Sequence, residues 1–104
     1  MIRHISIFFF KEEKKEEHKR LFTARLAAME TELDNLVDYQ VGNDCMQRPP
    51  KGISGLPEFG DATQVIDFMN EEDAFSYPKH PAHINLMRDM SDYLEKVVAI
   101  DIHL

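Results

Sequence analysis

The segment from Tyr77 to His83 concentrates the side chains of this chain that could perform acid–base chemistry. A histidine can remove a proton next to a carbonyl because its ordinary pKa lies close to neutral pH. A tyrosine hydroxyl can donate a hydrogen bond to the oxygen on which negative charge then develops. Pro78 and Pro81 lie between the two residues, so the chain must bend there and the two side chains can converge on one pocket.

Two other arrangements of reactive residues give weaker signals. His80 and His83 have a spacing found in metal sites, but no third ligand lies nearby in the sequence, and we predict no metal and no cofactor. Cys45 has no assignable base, which a cysteine nucleophile needs. Structural roles also stay open, with His83 as a helix-surface or capping residue and Tyr77 as a residue of the core.

The hydrophobic pattern predicts four strands, two main helices and a short helix that would position these residues. Alternation of apolar and polar residues indicates strands, and apolar residues that recur every three or four positions indicate helices. The predicted strands are Met1–Phe10, Leu36–Gly42, Ala62–Met69 and Val97–Ile102. The predicted helices are one with the apolar stripe Leu21, Phe22, Leu26, Met29 and Leu33, a short one over Glu71–Ser76 after the N-cap Asn70, and one from Pro81 through Leu86, Met87, Met90 and Leu94.

The second strand and the segment after it contrast in pattern. In the strand, Val37, Tyr39 and Val41 are predicted on one face and the intervening polar residues on the other. The following segment, Asn43–Asp61, contains several prolines and glycines and almost no periodicity. We therefore predict a long loop, which in a compact domain is usually functional or mobile.

The order strand–helix–strand–strand–helix–strand is typical of a ferredoxin-like α+β fold, whose helices cover one face of a four-stranded antiparallel sheet. Apolar residues nevertheless occupy both faces of the first strand. Ile5, Ile7 and Phe9 point to one side. Phe8 and Phe10 point to the other, and the last strand has the same character. Since an open apolar face usually marks an interface, we predict a homodimer through the open sheet face.

Length and composition restrict the classes of protein to which the chain can belong. Its 104 residues suit one domain, predicted over residues 1–104. The formal net charge is −7, and the lysines of residues 11–20 alternate with glutamates at helix-pair spacing, so we expect no nucleic-acid partner. The longest apolar run, Ile7–Phe10, is far shorter than the roughly 20 residues of a membrane span. Without a secretory signal, we expect no membrane association and a cytoplasmic location.

The run Tyr77-Pro78-Lys79-His80-Pro81-Ala82-His83 resembles the signature of the stress-responsive A/B barrel family, also called the Dabb or dimeric α+β barrel domain. Residues 2–11, the pair Val41-Gly42 and residues 95–101 resemble three strands of that family. The resemblance covers nearly the whole chain apart from the proline-rich loop. It implies a ferredoxin-like protomer that forms a dimeric α+β barrel by facing its sheet toward that of a second copy.

The resemblance also implies roles for individual residues, because the family includes a metal-independent cyclase that closes polyketides by aldol condensation. The catalytic pair of that cyclase corresponds to Tyr77 and His83. Its first-strand histidine and last-strand aspartate correspond to His4 and Asp101, which would contact the ligand. The apolar side of its ligand pocket corresponds to Phe8, Phe22, Leu26, Ile66, Leu86, Leu94 and Val97.

Three functions stay open at this point. The first is a small-molecule pocket in each protomer, with cyclase-like acid–base chemistry as its enzymatic form. Gln64, Asp89 and Thr23 make this pocket more polar than that of the cyclase, so the substrate is not specified. The second is a non-enzymatic stress protein that acts through assembly. The third, ranked last, is a relative of the heme- or quinol-type monooxygenases that share the dimeric barrel.

Overall fold

The computed structural model describes residues 1–46 and 55–104, which form a four-stranded antiparallel sheet with helices packed on one face. The strands are β1 (Ile2–Phe10), β2 (Leu36–Asn43), β3 (Ala62–Phe68) and β4 (Leu94–His103). The helices are α1 (Lys15–Ala28), α2 (Glu71–Ser76) and α3 (Pro81–Met90). The strand order β2–β3–β1–β4 confirms the predicted ferredoxin-like α+β fold. The middle of the predicted loop, residues 47–54, lies outside the described residues.

Short polar caps define where the two C-terminal helices begin. Asn70 accepts a hydrogen bond from the backbone N–H of Asp73 (3.0 Å), which starts α2. The ring Nδ1 of His80 accepts from the backbone N–H of Ala82 (3.0 Å), and Pro81 is the first residue of α3. A 3₁₀ turn, Tyr77–Lys79, joins the two helices. The described helices are all too short or too polar to traverse a lipid bilayer.

The hydrophobic core lies between the helices and the side of the sheet that they cover, called here the helix face. Phe22 of α1 is completely buried, and its ring centroid lies 4.8 Å from that of Phe8 and 5.3 Å from that of Phe10. Leu26 of α1 and Met29, which opens the 3₁₀ turn after the helix, continue the buried stripe at the predicted spacing. Because each fully buried apolar side chain contributes roughly 1.5–3 kcal/mol, this contact holds α1 on the sheet.

The opposite side of the sheet, the open face, carries an exposed apolar strip along β1 and β4. Ile5 lies opposite Ile100, and Ile7 lies opposite Val98. Ile100 is 58% exposed and Val98 is 49% exposed, although both are large and apolar. At one end of the strip, Gly60 packs closely on Ile7. A Cβ atom added to Gly60 would lie 2.1 Å from the Cγ2 atom of Ile7. The strip matches the prediction that both faces of these strands are apolar.

Two local features differ markedly from the sequence-based prediction. The first is in β2, where the register with β3 shifts between Leu36 and Asp38. This irregularity turns Val37 outward, where it is 46% exposed, so the prediction that it shares a face with Tyr39 and Val41 is wrong.

The second difference is the end of α3, which stops at Met90 and does not reach Leu94. A 3₁₀ turn, Ser91–Tyr93, follows the helix, and the Tyr93 carbonyl accepts a hydrogen bond from the backbone N–H of Lys11 (3.0 Å). This bond ties the turn to the end of β1, and Leu94 is therefore drawn into β4 opposite Phe10. Its side chain is still buried.

An ion pair on the open face makes a pH-dependent contribution to stability. The Arg3 guanidinium donates to both carboxylate oxygens of Asp67, at 2.8 and 3.0 Å, and holds the pKa of Asp67 below its ordinary value. A carboxyl pKa that is lower in the folded state stabilises the fold above the unfolded value of about 3.9 and loses this effect as the pH falls through the folded pKa.

We therefore expect Asp67→Asn to have a lower urea midpoint than the wild type at pH 7, and we expect the difference to shrink as the pH is lowered toward 2. Urea unfolding followed by circular dichroism at a series of pH values measures this. The exposed Asp92 offers the matched control, since Asp92→Asn should change the midpoint little at any pH. A difference that grew toward acid pH would contradict the assignment.

Candidate functional site

The candidate site lies on the helix face where β1, β3 and β4 meet the first turn of α3. His4 and Ser6 are two residues apart on β1, so both side chains lie on the helix face. The register places Asp101 of β4 opposite His4 and Gln64 of β3 opposite Ser6. The turn before α3 brings Tyr77 over this part of the sheet.

The Tyr77 ring lies between two histidine rings. Its centroid is 5.5 Å from that of His4 and 4.9 Å from that of His83, in edge-to-face contacts. Pro78 opens the turn after Tyr77, and Pro81 starts the helix that carries His83. The bend predicted from the two prolines therefore brings the two side chains into contact.

His83 is a neutral imidazole with one ring nitrogen free. Its Nδ1 lies 3.2 Å from the Pro78 carbonyl oxygen, which can only accept, so Nδ1 carries the proton. Partial burial lowers the pKa of His83 below the ordinary 6.5, so the ring is neutral at pH 7. Its Nε2 makes no hydrogen bond to a described residue and is not among the buried unpaired nitrogens, so its lone pair is accessible. This is the arrangement that a general base needs.

The second histidine belongs to a hydrogen-bonded row across β1 and β4. His4 Nδ1 lies 2.6 Å from a carboxylate oxygen of Asp101, and His4 Nε2 lies 2.8 Å from the Ser6 hydroxyl. The carboxylate only accepts, so Nδ1 carries a proton and donates it to Asp101. Asp101 is exposed, whereas Ser6 is buried. The two hydrogen bonds hold the His4 ring in one orientation.

A chain of buried polar groups leads from Tyr77 into the core. The Tyr77 hydroxyl donates to Gln64 Oε1 (3.1 Å), and Gln64 Nε2 donates to the Tyr39 hydroxyl (2.9 Å). The Tyr39 hydroxyl donates in turn to the Leu26 carbonyl of α1. Burial raises the pKa of Tyr77 well above its ordinary value, so its hydroxyl stays protonated. The hydroxyl is therefore directed toward the buried Gln64.

The predicted site residues fall into two groups in the structure. His4, Tyr77, His83 and Asp101 lie together on the helix face. The predicted apolar pocket residues are mostly members of the buried core: Phe8, Phe22, Leu26, Ile66, Leu86 and Leu94. Val97 instead lies opposite Phe8 on β4 and is 40% exposed. The catalytic and ligand-binding roles of all these residues stay predictions.

Two partners of the site, Ser6 and Tyr39, have no functional role in the sequence analysis, and Gln64 is named there only as a polar pocket position. Strand alternation could have identified Ser6, since it shares a face with His4. The contact between Gln64 and Tyr39 requires the register of β2 on β3, which the sequence does not show. A signal for a buried polar network was nevertheless present, because Gln64 occurs within an otherwise apolar strand face.

A cleft of about 180 Å³ also borders Tyr77, lined otherwise by residues outside the predicted site, among them Leu33, Asn35, Phe68 and His80. The cleft shares only Tyr77 with the cluster around His83. Its polar member His80 caps α3 through Nδ1. In the parts of the chain that the structure describes, no three His, Cys, Asp or Glu side chains come together as a set of metal ligands.

The fold and the site define an α+β protein of ferredoxin-like topology with a histidine–tyrosine cluster on the helix face. A sequence model of the stress responsive A/B barrel domain matches residues 2–104. The chain therefore belongs to the stress-responsive A/B barrel (Dabb) family, as the Tyr77–His83 signature predicted. A comparison with curated proteins gave no significant match.

Solved structures of similar fold cover nearly the whole chain. The protein At3g17210 from Arabidopsis thaliana is 20% identical over 100% of this chain and 95% of its own, with a TM-score of 0.78. A dimeric ferredoxin-like protein of unknown function from Thermobifida fusca is 22% identical over 99% and 90%, with a TM-score of 0.76. A hydroxynitrile lyase from Passiflora edulis is 13% identical over 99% and 92%, also with a TM-score of 0.76. At these identities the likeness shows the shared fold alone.

Proposed function

We propose that this protein is a homodimer whose protomers each bind a small molecule beside His83 and use that histidine as a general base in cyclase- or lyase-type aldol chemistry. The observation that carries the proposal is the His83 ring, which is half-buried and neutral and has its Nδ1 proton fixed by the Pro78 carbonyl. Its free Nε2 is accessible and can take a proton from a bound ligand. The cytoplasmic location stays a prediction from the sequence.

The dimer is supported by the open face. The strip of Ile5, Ile7, Val98 and Ile100 leaves large apolar side chains in contact with water in a single protomer. Two-fold symmetry would place this strip against the same strip of a second protomer, so that both strips are buried in the interface. The ferredoxin-like protein of similar fold from Thermobifida fusca is dimeric, which is consistent with such a pairing.

The chemistry needs only groups that the chain supplies. In an aldol cleavage, His83 Nε2 takes the hydroxyl proton of a β-hydroxy carbonyl compound, the C–C bond breaks, and an aldehyde and an enolate form. The enolate then takes a proton, which returns the histidine to its neutral form. Condensation is the reverse sequence. The protein of similar fold from Passiflora edulis is a hydroxynitrile lyase, which is consistent with lyase chemistry on this fold.

His83→Gln is expected to slow cleavage of the probe 4-hydroxy-4-phenylbutan-2-one about 100-fold or more, since glutamine cannot take up the proton. Release of benzaldehyde is followed by ultraviolet absorbance. In the wild type the rate should fall on the acid side with a midpoint below pH 6.5, because the pKa of His83 is lowered in the fold. The exposed His103 gives the control, and His103→Gln should keep the full rate. Equal rates for His83→Gln and wild type would contradict the role of His83.

A second function, assembly without catalysis, is favoured by one observation. The side chains predicted to line an apolar pocket, among them Phe8 and Phe22, pack on one another in the core. Native mass spectrometry of gently purified protein separates the two functions. A dimer with an added small-molecule mass that His83→Gln loses would support the ligand site. A dimer that never carries such a mass and does not cleave the probe would support assembly.

A further inference from the structure

We propose that this site selects ligands by a hydroxyl group that donates a hydrogen bond to His83, in preference to compounds whose only polar group is a ketone carbonyl or a carboxylate. The inference rests on the proposed function, because it concerns the ligand of the same His83 site. It follows from the directions of the hydrogen bonds around Tyr77, His4 and His83. In each case an oxygen atom that can only accept decides where the proton lies.

The first of these oxygens is the Leu26 carbonyl, which fixes the chain of bonds from Tyr77. Because that carbonyl accepts the proton of Tyr39, the Tyr39 oxygen must accept from Gln64. The Gln64 amide therefore turns its N–H toward Tyr39 and its Oε1 toward Tyr77. The Tyr77 proton is then committed to Gln64, and the hydroxyl cannot offer it to a ligand without breaking a buried hydrogen bond.

The second oxygen belongs to Asp101 and fixes the row on β1. It accepts a hydrogen bond from His4 Nδ1, and His4 Nε2 is hydrogen-bonded to the Ser6 hydroxyl. The Nδ1 proton of His4 is therefore used within the row. The exposed carboxylate of Asp101 presents further lone pairs.

The third oxygen is the Pro78 carbonyl, which takes the Nδ1 proton of His83 and leaves a lone pair on Nε2. Tyr77 and His83 thus keep their protons for other groups of the protein, and the group that His83 presents to a ligand is an acceptor. A hydroxyl compound can donate to His83 Nε2. A compound with only a ketone carbonyl brings further lone pairs, and a carboxylate also brings a negative charge to a chain whose net charge is −7.

Three probes that share one ring test the inference: cyclohexanol, cyclohexanone and cyclohexanecarboxylate. Each is titrated into the full-length protein at pH 7 while the ring resonances of His83 are followed by NMR, with His83→Gln used for their assignment. Cyclohexanol should bind roughly tenfold more tightly than the other two, the discrimination expected from one hydrogen bond made or lost. Long-range proton–nitrogen spectra of the free protein should show His83 protonated at Nδ1 and unprotonated at Nε2.

The outcomes separate this inference from the proposed function. If cyclohexanone or cyclohexanecarboxylate bound as tightly as cyclohexanol, or if His83 were protonated at Nε2, the preference for donors would be overturned and the site itself would stand. If none of the three probes shifted the His83 resonances, the proposed ligand site would be overturned and the inference with it.

A variant that turns residue 83 from an acceptor into a donor sharpens the test. His83→Lys replaces the accepting Nε2 by a group that only donates, so the order of affinities should invert, and cyclohexanecarboxylate should become the tightest of the three probes. Binding is followed at the His4 ring resonances. Asn85→Lys adds the same charge to an exposed position of α3, two residues away, and should keep the preference for cyclohexanol. The same order of affinities in His83→Lys and wild type would contradict the inference.

Discussion

An aspartate in place of Ile100 is expected to convert the dimer into monomers. Ile100 lies opposite Ile5 in the middle of the exposed apolar strip and is 58% exposed in the protomer. A carboxylate there would lose its hydration on dimerisation without gaining a partner, and this penalty is several kcal/mol. Two-fold symmetry brings two such charges into one interface. We expect the dissociation constant to rise roughly 1000-fold, which corresponds to about 4 kcal/mol.

Sedimentation velocity over a range of protein concentrations measures this change. Phe75 of α2 gives the matched control, because it is large, apolar and 74% exposed but lies on a helix outside the open face. Phe75→Asp should therefore stay dimeric. The proposed interface would be wrong if Ile100→Asp stayed dimeric at the concentrations where the wild type does, or if Phe75→Asp dissociated in its place.

The topology of the sheet could be predicted because it depends on patterns that the sequence carries directly. Strand alternation and helical spacing identified the elements, and their order restricted the fold to a small set. The same alternation indicated the apolar strip, since it assigns Ile5 and Ile7 to one side of β1 whatever the neighbouring strands are. Local patterns therefore sufficed for the fold.

The details that could not be predicted depend on contacts between distant residues. Val37 follows the alternation of β2 perfectly, but its exposure results from a register shift against β3. Leu94 fits the spacing of α3, but the helix ends before it, at Met90. The hydrogen bond between the Tyr93 carbonyl and the Lys11 N–H ties the segment after the helix to β1. In both cases a long-range pairing outweighed a correct local pattern.

The candidate site shows the same division between features set by local sequence and features set by long-range contacts. Contact between Tyr77 and His83 was predictable because the two prolines restrict the chain between them. The direction of the Tyr77 hydroxyl was not, since it depends on Gln64 and on the Leu26 carbonyl, two groups from separate elements. Residue types can therefore identify a candidate general base, but the positions of the protons in the site can be assigned only from the three-dimensional hydrogen-bond network.

The largest loss of stability is expected from Phe22→Ala. Phe22 is completely buried, and its ring contacts those of Phe8 and Phe10, so alanine would leave a cavity between α1 and the sheet. Truncation of a buried phenylalanine costs about 3–5 kcal/mol. A domain of this size has a total free energy of unfolding of about 5–15 kcal/mol. The substitution should therefore lower the melting temperature by roughly 10–30 °C.

Thermal unfolding followed by circular dichroism measures this shift, with all variants at one protein concentration because dimerisation couples to stability. Phe75→Ala removes the same side chain from an exposed position and should lower the melting temperature by only a few degrees at most. If the two substitutions had equal effects, α1 would not be held on the sheet by Phe22. If only Phe22→Ala is strongly destabilising, the aromatic contact with β1 is what holds α1 on the sheet. The position of α1 matters for the site because the Leu26 carbonyl of this helix ends the hydrogen-bond chain that begins at Tyr77.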